Sequence, residues 1–269
     1  MALLECSFFS ESLELSTSMT VILPQETRRP GQARPLALVE PTGGKPRKTL
    51  YLLHGLSDDH TIWLRRTSIE RYVAPLGLAV VMPEVHRSFY TDMAFGGAFE
   101  TFVAEELPAI ARSFFPLSDR REDTYIAGLS MGGYGAFKLA LNHPESYCAA
   151  ASLSGVLDIA RRAADPNLDP TRKRDLVSVF GNELAAAGTR HDLFAVLDRL
   201  VASKTAIPRL YACCGEEDGL YEHNTTFRDF ARKKGVELAW QSDPGYAHTW
   251  DYWDLRIQNV LEWMLGPQK

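Results

Sequence analysis

The chain of 269 residues predicts an α/β fold, with a mostly parallel central sheet, helices on both faces and a small cap-like insertion. Three observations carry this reading. Short aliphatic runs alternate with amphipathic helical stretches, the order expected when each strand is followed by a crossover helix. The runs are apolar along their length, as strands covered on both faces are. A Gly-x-Ser-x-Gly pattern, Gly128 to Gly132, falls at one of the strand–helix junctions.

In chain order, "ALLECSFF" (2–9) and "TSMTVIL" (17–23) read as leading strands forming an antiparallel edge. The polar, proline-punctuated stretch 24–48 reads as a loop or hairpin. Further strands are expected at 49–54, 78–83, 123–128, 147–154, 208–215 and 236–242. Helices are expected between or after them at about 67–75, 98–114, 131–142, 192–203, 221–234 and 249–265. His143-Pro144 ends the third of these, because proline disfavours a helical conformation in the residue before it. Segment 156–191 is polar, proline-bearing and only partly helical, and reads as an insertion over the end of the sheet within a single domain, 1–269.

With 45% hydrophobic and 23% charged residues, a chain of this length can bury a core without staples. A net charge of −5 without a long basic run argues against nucleic acid or an anionic membrane as partner. Cys6, Cys148, Cys213 and Cys214 form no CxxC pair, which fits buried thiols in a reducing compartment. The N-terminus lacks a basic start and Glu5 interrupts its apolar run, so neither a secretory signal nor a membrane span is read, and the cytoplasm is expected.

"YIAGLSMGGYG" places Ser130 among four glycines directly after an apolar run. A Gly-x-Ser-x-Gly match alone is weak evidence, since chance supplies one in roughly one chain in ten of this length. A strand before it and a helix after it make it a nucleophile elbow, in which the hydroxyl stands above the sheet on a strained turn. Gly132, Gly133 and Gly135 each cost the following helix about 1 kcal/mol relative to alanine, so close packing there is the reason for them. A phosphate cradle fails on detail, for no Lys-Ser/Thr completes a Walker loop and "GYGAFK" lacks a third dinucleotide-binding glycine.

A serine nucleophile needs a base, and the base an orienting acid, later in the chain. His248 follows the last strand at the carboxyl edge of the sheet, where such sheets bind ligands. His191 falls in the insertion, and His223 lies within a helical stretch that reads as solvated. Asp218, after strand 208–215, is the favoured acid, with Asp158, Glu216 and Glu217 as rivals. Two backbone donors complete such a site: the N–H of Met131, after the serine, and that of Leu56, after "LYLLHG". Trp63 is a candidate for lining an acyl pocket, against simple core packing. "HGLSDDH" lacks the spacing of dinuclear zinc hydrolases and no HExxH occurs, so neither a metal nor a cofactor is expected.

The segments "LLHGLSDDHTIW", "RSFYTDMAFGGAFETFVAEELP", "IAGLSMGGYGAFKLALNHPESY", "CGEEDGLYEHN" and "GYAHTWDYWD" together resemble the esterase D / S-formylglutathione hydrolase branch of the α/β-hydrolases. Within that branch the chain looks most like bacterial tributyrin esterases, and more distantly like feruloyl and acetylxylan esterases and mycolyltransferases. The resemblance implies an α/β-hydrolase fold, Ser130 as nucleophile, Asp218 as acid, His248 as base, and Leu56 and Met131 as oxyanion donors. It further implies a serine carboxylesterase acting on short-chain acyl esters, with S-formylglutathione or acetyl and feruloyl sugar esters as alternative substrates. An idle hydrolase fold serving as a binding module is the alternative of a different class. The hydrophobic leading strands, with relatives that assemble, lead us to expect a homo-oligomer, a dimer or a tetramer.

Overall fold

The computed structural model describes residues 1–25 and 46–266; most of the expected loop or hairpin at 24–48 thus lies outside the described residues. The strands are β1 (Ala2–Ser10), β2 (Leu15–Leu23), β3 (Thr49–Leu53), β4 (Ala79–Pro83), β5 (Thr124–Leu129), β6 (Ala149–Leu153), β7 (Arg209–Gly215) and β8 (Leu238–Asp243). They form one sheet in the order β1-β2-β4-β3-β5-β6-β7-β8. β1 and β2 run antiparallel to each other, and β2 runs antiparallel to β4. The remaining neighbours are parallel, as the strand–helix alternation predicts.

Every residue of β3, β4, β5 and β6 is buried, which accounts for their unbroken apolar runs. Their side chains still alternate between two cores. Tyr51, Leu53 and Ile126 face one of them, and Leu50, Leu52, Tyr125 and Ala127 the other. β1 and β8 are the sheet's outer strands and are covered less: every residue of β8 is half-buried, and Leu3 and Phe9 of β1 are exposed.

Helices α1 (Ile62–Arg66), α2 (Ile69–Val73), α3 (Phe99–Thr101), α4 (Leu107–Phe114), α5 (Met131–Asn142), α6 (Ile159–Ala163), α7 (Pro170–Phe180), α8 (Leu193–Ser203), α9 (Tyr221–Lys233) and α10 (Trp250–Leu265) connect the strands or follow them. α5 spans the residues its sequence predicts. The expected helix at 98–114 is instead three pieces, α3, a π turn at Phe102–Glu106, and α4. Pro108 in the first turn of α4 supplies no N–H to the i→i−4 ladder there. α1 escapes a periodicity reading because five residues hold barely one turn. The insertion carries α6 and α7, and its Ile159, Leu168, Leu176, Val179 and Phe180 join the same core as α5. α7 begins where Asp169 accepts the N–H groups of Thr171 and Arg172, with Pro170 as its first residue.

A buried ionic cluster fastens α5 to the segment that precedes α3. Lys138 is fully buried, donates to Tyr90 O at 2.7 Å and pairs with Glu100, itself only 2% exposed. Arg190 reaches the other Glu100 oxygen at 2.7 Å. The backbone held there is strained: His86, Phe89 and Tyr90 all have positive φ, near +50°. Burial by itself would raise the Glu100 pKa, but His143, Lys138 and Arg190 together hold it down at about 2.

Two outcomes follow from this cluster. Glu100→Gln strands the Lys138 charge in the core and lowers stability by about 3–5 kcal/mol at neutral pH, measured by urea unfolding. In the wild type, stability falls as pH drops from the ordinary glutamate range toward 2. In that window the unfolded chain binds a proton that folded Glu100 does not. The Glu100→Gln protein loses less stability over the same window, and an unchanged acid profile contradicts the assignment.

Candidate active site

Ser130 stands between the end of β5 and the first residue of α5, with φ +53° and ψ −115°. L-residues rarely adopt this conformation, at a cost on the order of 1–3 kcal/mol. Hydrogen bonds hold it on both sides. Its N–H donates to Leu153 O at 2.9 Å, and its carbonyl accepts the N–H groups of Tyr134 (3.1 Å) and Val156 (3.4 Å). The glycines serve the fold-back. A Cβ on Gly132 would lie 2.5 Å from Leu53 O and 2.7 Å from His54 O, and one on Gly128 would lie 2.4 Å from Gly132 O. Gly135 abuts the Tyr90 ring, where a Cβ would come within 2.2 Å.

The Ser130 hydroxyl lies 3.0 Å from His248 Nε2, and His248 Nδ1 lies 2.8 Å from Asp218 Oδ2. The second Asp218 oxygen accepts the N–H of Leu220 at 2.8 Å. Burial by itself would raise the Asp218 pKa, but the hydrogen bond to His248 and its charge, with Leu220 and Ser154, bring it below the usual carboxylate range. The loops carrying Asp218 and His248 are joined to each other. Glu216 N–H donates to Asp243 O and Glu217 N–H to Tyr246 O, both at 3.0 Å. Gly215 permits this approach, since a Cβ there would sit 2.1 Å from Tyr246 O.

Leu56 and Met131 line the same cavity as Ser130, which has a volume of about 530 Å³. Met131 is the first residue of α5, so its N–H has no carbonyl to meet inside the helix. Before Leu56 the chain turns sharply, Gly55 N–H donating to Asp58 Oδ2 and Asp58 N–H to Gly55 O, each at 3.2 Å. Buried His54 supports that turn from behind. Its Nδ1 contacts Gly55 O at 2.7 Å, and Nε2 accepts the Val85 N–H at 3.1 Å. Those partners assign the neutral imidazole with its proton on Nδ1, and burial lowers the pKa further in that direction.

The rivals sit elsewhere. Asp158 caps α6, accepting the Arg161 N–H at 3.0 Å, and Glu216 meets Ser242 Oγ at 3.2 Å. His191 packs on Phe180. His223, expected to be solvated, is buried at 8% exposure on the inner side of α9. Of the "HGLSDDH" group, His60 meets Thr20 Oγ1 at 2.7 Å, and Asp59 accepts from Thr61 at 2.6 Å.

Trp63 is a correction. It is 1% exposed, does not line the cavity, and donates its indole N–H to Leu53 O at 3.0 Å. It forms a second layer, packed edge-on against Trp250 at 5.3 Å. Trp250 and Trp253 line the cavity instead, and the Trp253 ring meets His248 edge-on at 4.8 Å. Trp253 also donates to Ser154 Oγ at 3.1 Å. The sequence reading missed both residues. Two tryptophans three apart, opening the helix after His248, were the available signal.

Gly132→Ala forces a methyl group into two backbone carbonyls that have no freedom to yield. We expect a loss of about 3 kcal/mol or more in urea unfolding; a neutral result would show that the junction can relax.

The family model "Esterase: Putative esterase" matches residues 27–264. An acetyl esterase of Caldicellulosiruptor saccharolyticus is 32% identical over 98% of both chains. Among solved structures, the fluorophosphonate-binding serine hydrolase FphF of Staphylococcus aureus is 35% identical, with a TM-score of 0.87 over 99% of both chains. The S-formylglutathione hydrolase FrmB of the same organism is 36% identical, with a TM-score of 0.84 over 98% of this chain and 99% of its own. The chain therefore belongs to the esterase family, in its esterase D / S-formylglutathione hydrolase-like branch, and is a serine carboxylic ester hydrolase.

Proposed function

We propose that the protein hydrolyses short-chain acyl esters in two steps, with Ser130 as nucleophile, His248 as general base and acid, and Asp218 as the group that orients His248. The observation that carries this reading is the unbroken line of hydrogen bonds Ser130–His248–Asp218, 3.0 and 2.8 Å long. Ser130 Oγ attacks the ester carbonyl while its proton passes to His248 Nε2, and the resulting imidazolium is stabilised by the Asp218 carboxylate. The N–H groups of Leu56 and Met131 hold the anionic oxygen of the tetrahedral intermediate. His248 returns the proton to the departing alcohol, leaving Ser130 acylated. Water, deprotonated by the same imidazole, then releases the acid and restores the hydroxyl.

A small acyl group is supported by the cavity, whose volume of about 530 Å³ is in the range of small-molecule sites, and by the aromatic wall of Phe89, Trp250 and Trp253. The similarity to an acetyl esterase and to an S-formylglutathione hydrolase keeps acetyl esters and formyl thioesters within the same chemistry. Cys6, Cys148, Cys213 and Cys214 are free thiols, which supports a reducing, cytoplasmic setting. No helix among the described residues is long and apolar enough to cross a membrane.

Mass spectrometry after treatment with a fluorophosphonate probe should locate the adduct on Ser130; a folded protein left unlabelled there overturns the mechanism and favours a binding module. Asp218→Asn should lower kcat by about 10⁴, because the imidazole loses the partner that fixes its tautomer. In parallel assays, p-nitrophenyl acetate and butyrate should exceed octanoate, with S-formylglutathione and acetylated sugars ranked alongside. Preference for octanoate contradicts the short-chain assignment.

A further inference from the structure

The insertion brings two arginines to the cavity that contains Ser130 and His248: Arg162 from α6 and Arg172 from α7. Among the described residues, neither has a close acidic partner. Arg162 is half-buried, and among the described residues its guanidinium meets no carboxylate and no hydrogen-bond acceptor. Arg172 comes only within 4.0 Å of Asp175, a carboxylate already taken through both oxygens by Arg87, at 3.0 and 2.6 Å. Arg161, next in the chain but outside the cavity, shows the contrast, pairing with Glu222 at 2.9 Å.

The other cavity carboxylates are engaged as well, Asp218 by His248 and Leu220, and Asp58 by the Gly55 N–H. Half-buried Arg162 gains most from an acceptor that arrives with the ligand, and the more exposed Arg172 adds a second positive charge to the same cavity. The planar fork of donors on a guanidinium matches a carboxylate. Three aspartates on the cavity wall disfavour a dianion such as a phosphate monoester more than a single negative charge.

We propose that Arg162 and Arg172 recognise a carboxylate on the substrate, so that the preferred ester or thioester is a monoanion whose charged end lies against the insertion. This rests on the assignment of Ser130, His248 and Asp218 above. The arginines take no part in bond making. They act on substrate binding, and their effect is read as a preference between charged and neutral esters.

Two matched pairs test it. 4-Acetoxybenzoate against methyl 4-acetoxybenzoate puts the charge on the leaving group, and monomethyl glutarate against methyl pentanoate puts it on the acyl group. In each pair the ratio of kcat/KM, charged over neutral, is compared between wild type and variants, which cancels intrinsic reactivity. For one pair, the double variant Arg162→Gln/Arg172→Gln should lower the ratio about tenfold, mainly through KM. Arg162→Lys in place of Arg162→Gln should restore part of it, and added salt should shrink the wild-type preference. Arg174→Gln, which removes an equal charge from an exposed position of α7 that does not line the cavity, should leave the ratio unchanged.

Ratios in both pairs that are unaffected by the double variant overturn the proposal, as does an equal fall with Arg174→Gln. Fluorophosphonate labelling of Ser130 at the wild-type rate certifies that a variant has kept its site. Failure of the underlying mechanism looks different: the wild type then hydrolyses neither member of either pair and is not labelled at Ser130.

Discussion

The reversal of the chain at Ser130 is the constraint on which the rest of the site depends. A strand must become a helix within one residue, and that residue must carry a side chain at φ +53°. The conformation survives because the surroundings leave no alternative. Gly128 and Gly132 nearly touch, Gly132 rides on the carbonyls of Leu53 and His54, and Leu153, Tyr134 and Val156 hold the Ser130 peptide groups. The same contact fixes the end of β3 against the start of α5. Leu56 and Met131 are thereby brought to one cavity.

Support then spreads outward in layers. His54 holds the turn before Leu56, and Tyr90 donates to His54 O at 2.9 Å. Lys138 on α5 holds Tyr90 in turn, and Glu100 with Arg190 balances the buried lysine. On the far side, the Asp218 and His248 loops share backbone hydrogen bonds, so the two side chains are positioned as a unit. The insertion is tied in through Arg87, which clasps Asp175 of α7 and reaches Leu56 O at 3.4 Å. It forms a wall of the cavity while its apolar residues belong to the core.

Much of this was legible in the sequence. The eight strands fall within about two residues of the positions their aliphatic runs predict, and β3 to β6 show why most plainly, since a strand covered on both faces has no choice but to be apolar. That Ser130, Asp218 and His248 would meet was readable because each follows a strand at the same sheet edge. α1 was not, being too short to show a period, and α7 was read only as partial helix despite its Asp169–Pro170 start. The aromatic wall was misassigned for a definite reason: Trp63 and Trp250 touch each other, and only the packing decides which of the two faces the cavity.

What the sequence determined by itself is what local pattern dictates: the alternation of strand and helix, the glycines at a junction that excludes Cβ atoms, and the chain order of serine, acid and histidine. The tertiary structure decided what depends on distance between segments far apart in the chain. It set the 3.0 and 2.8 Å contacts across 118 and 30 residues, buried His223, and left Arg162 without a partner among the described residues. A residue's type fixes which bonds it is able to make. Which of those bonds are already satisfied within the protein, and which remain for a substrate, depends on neighbours that only folding supplies.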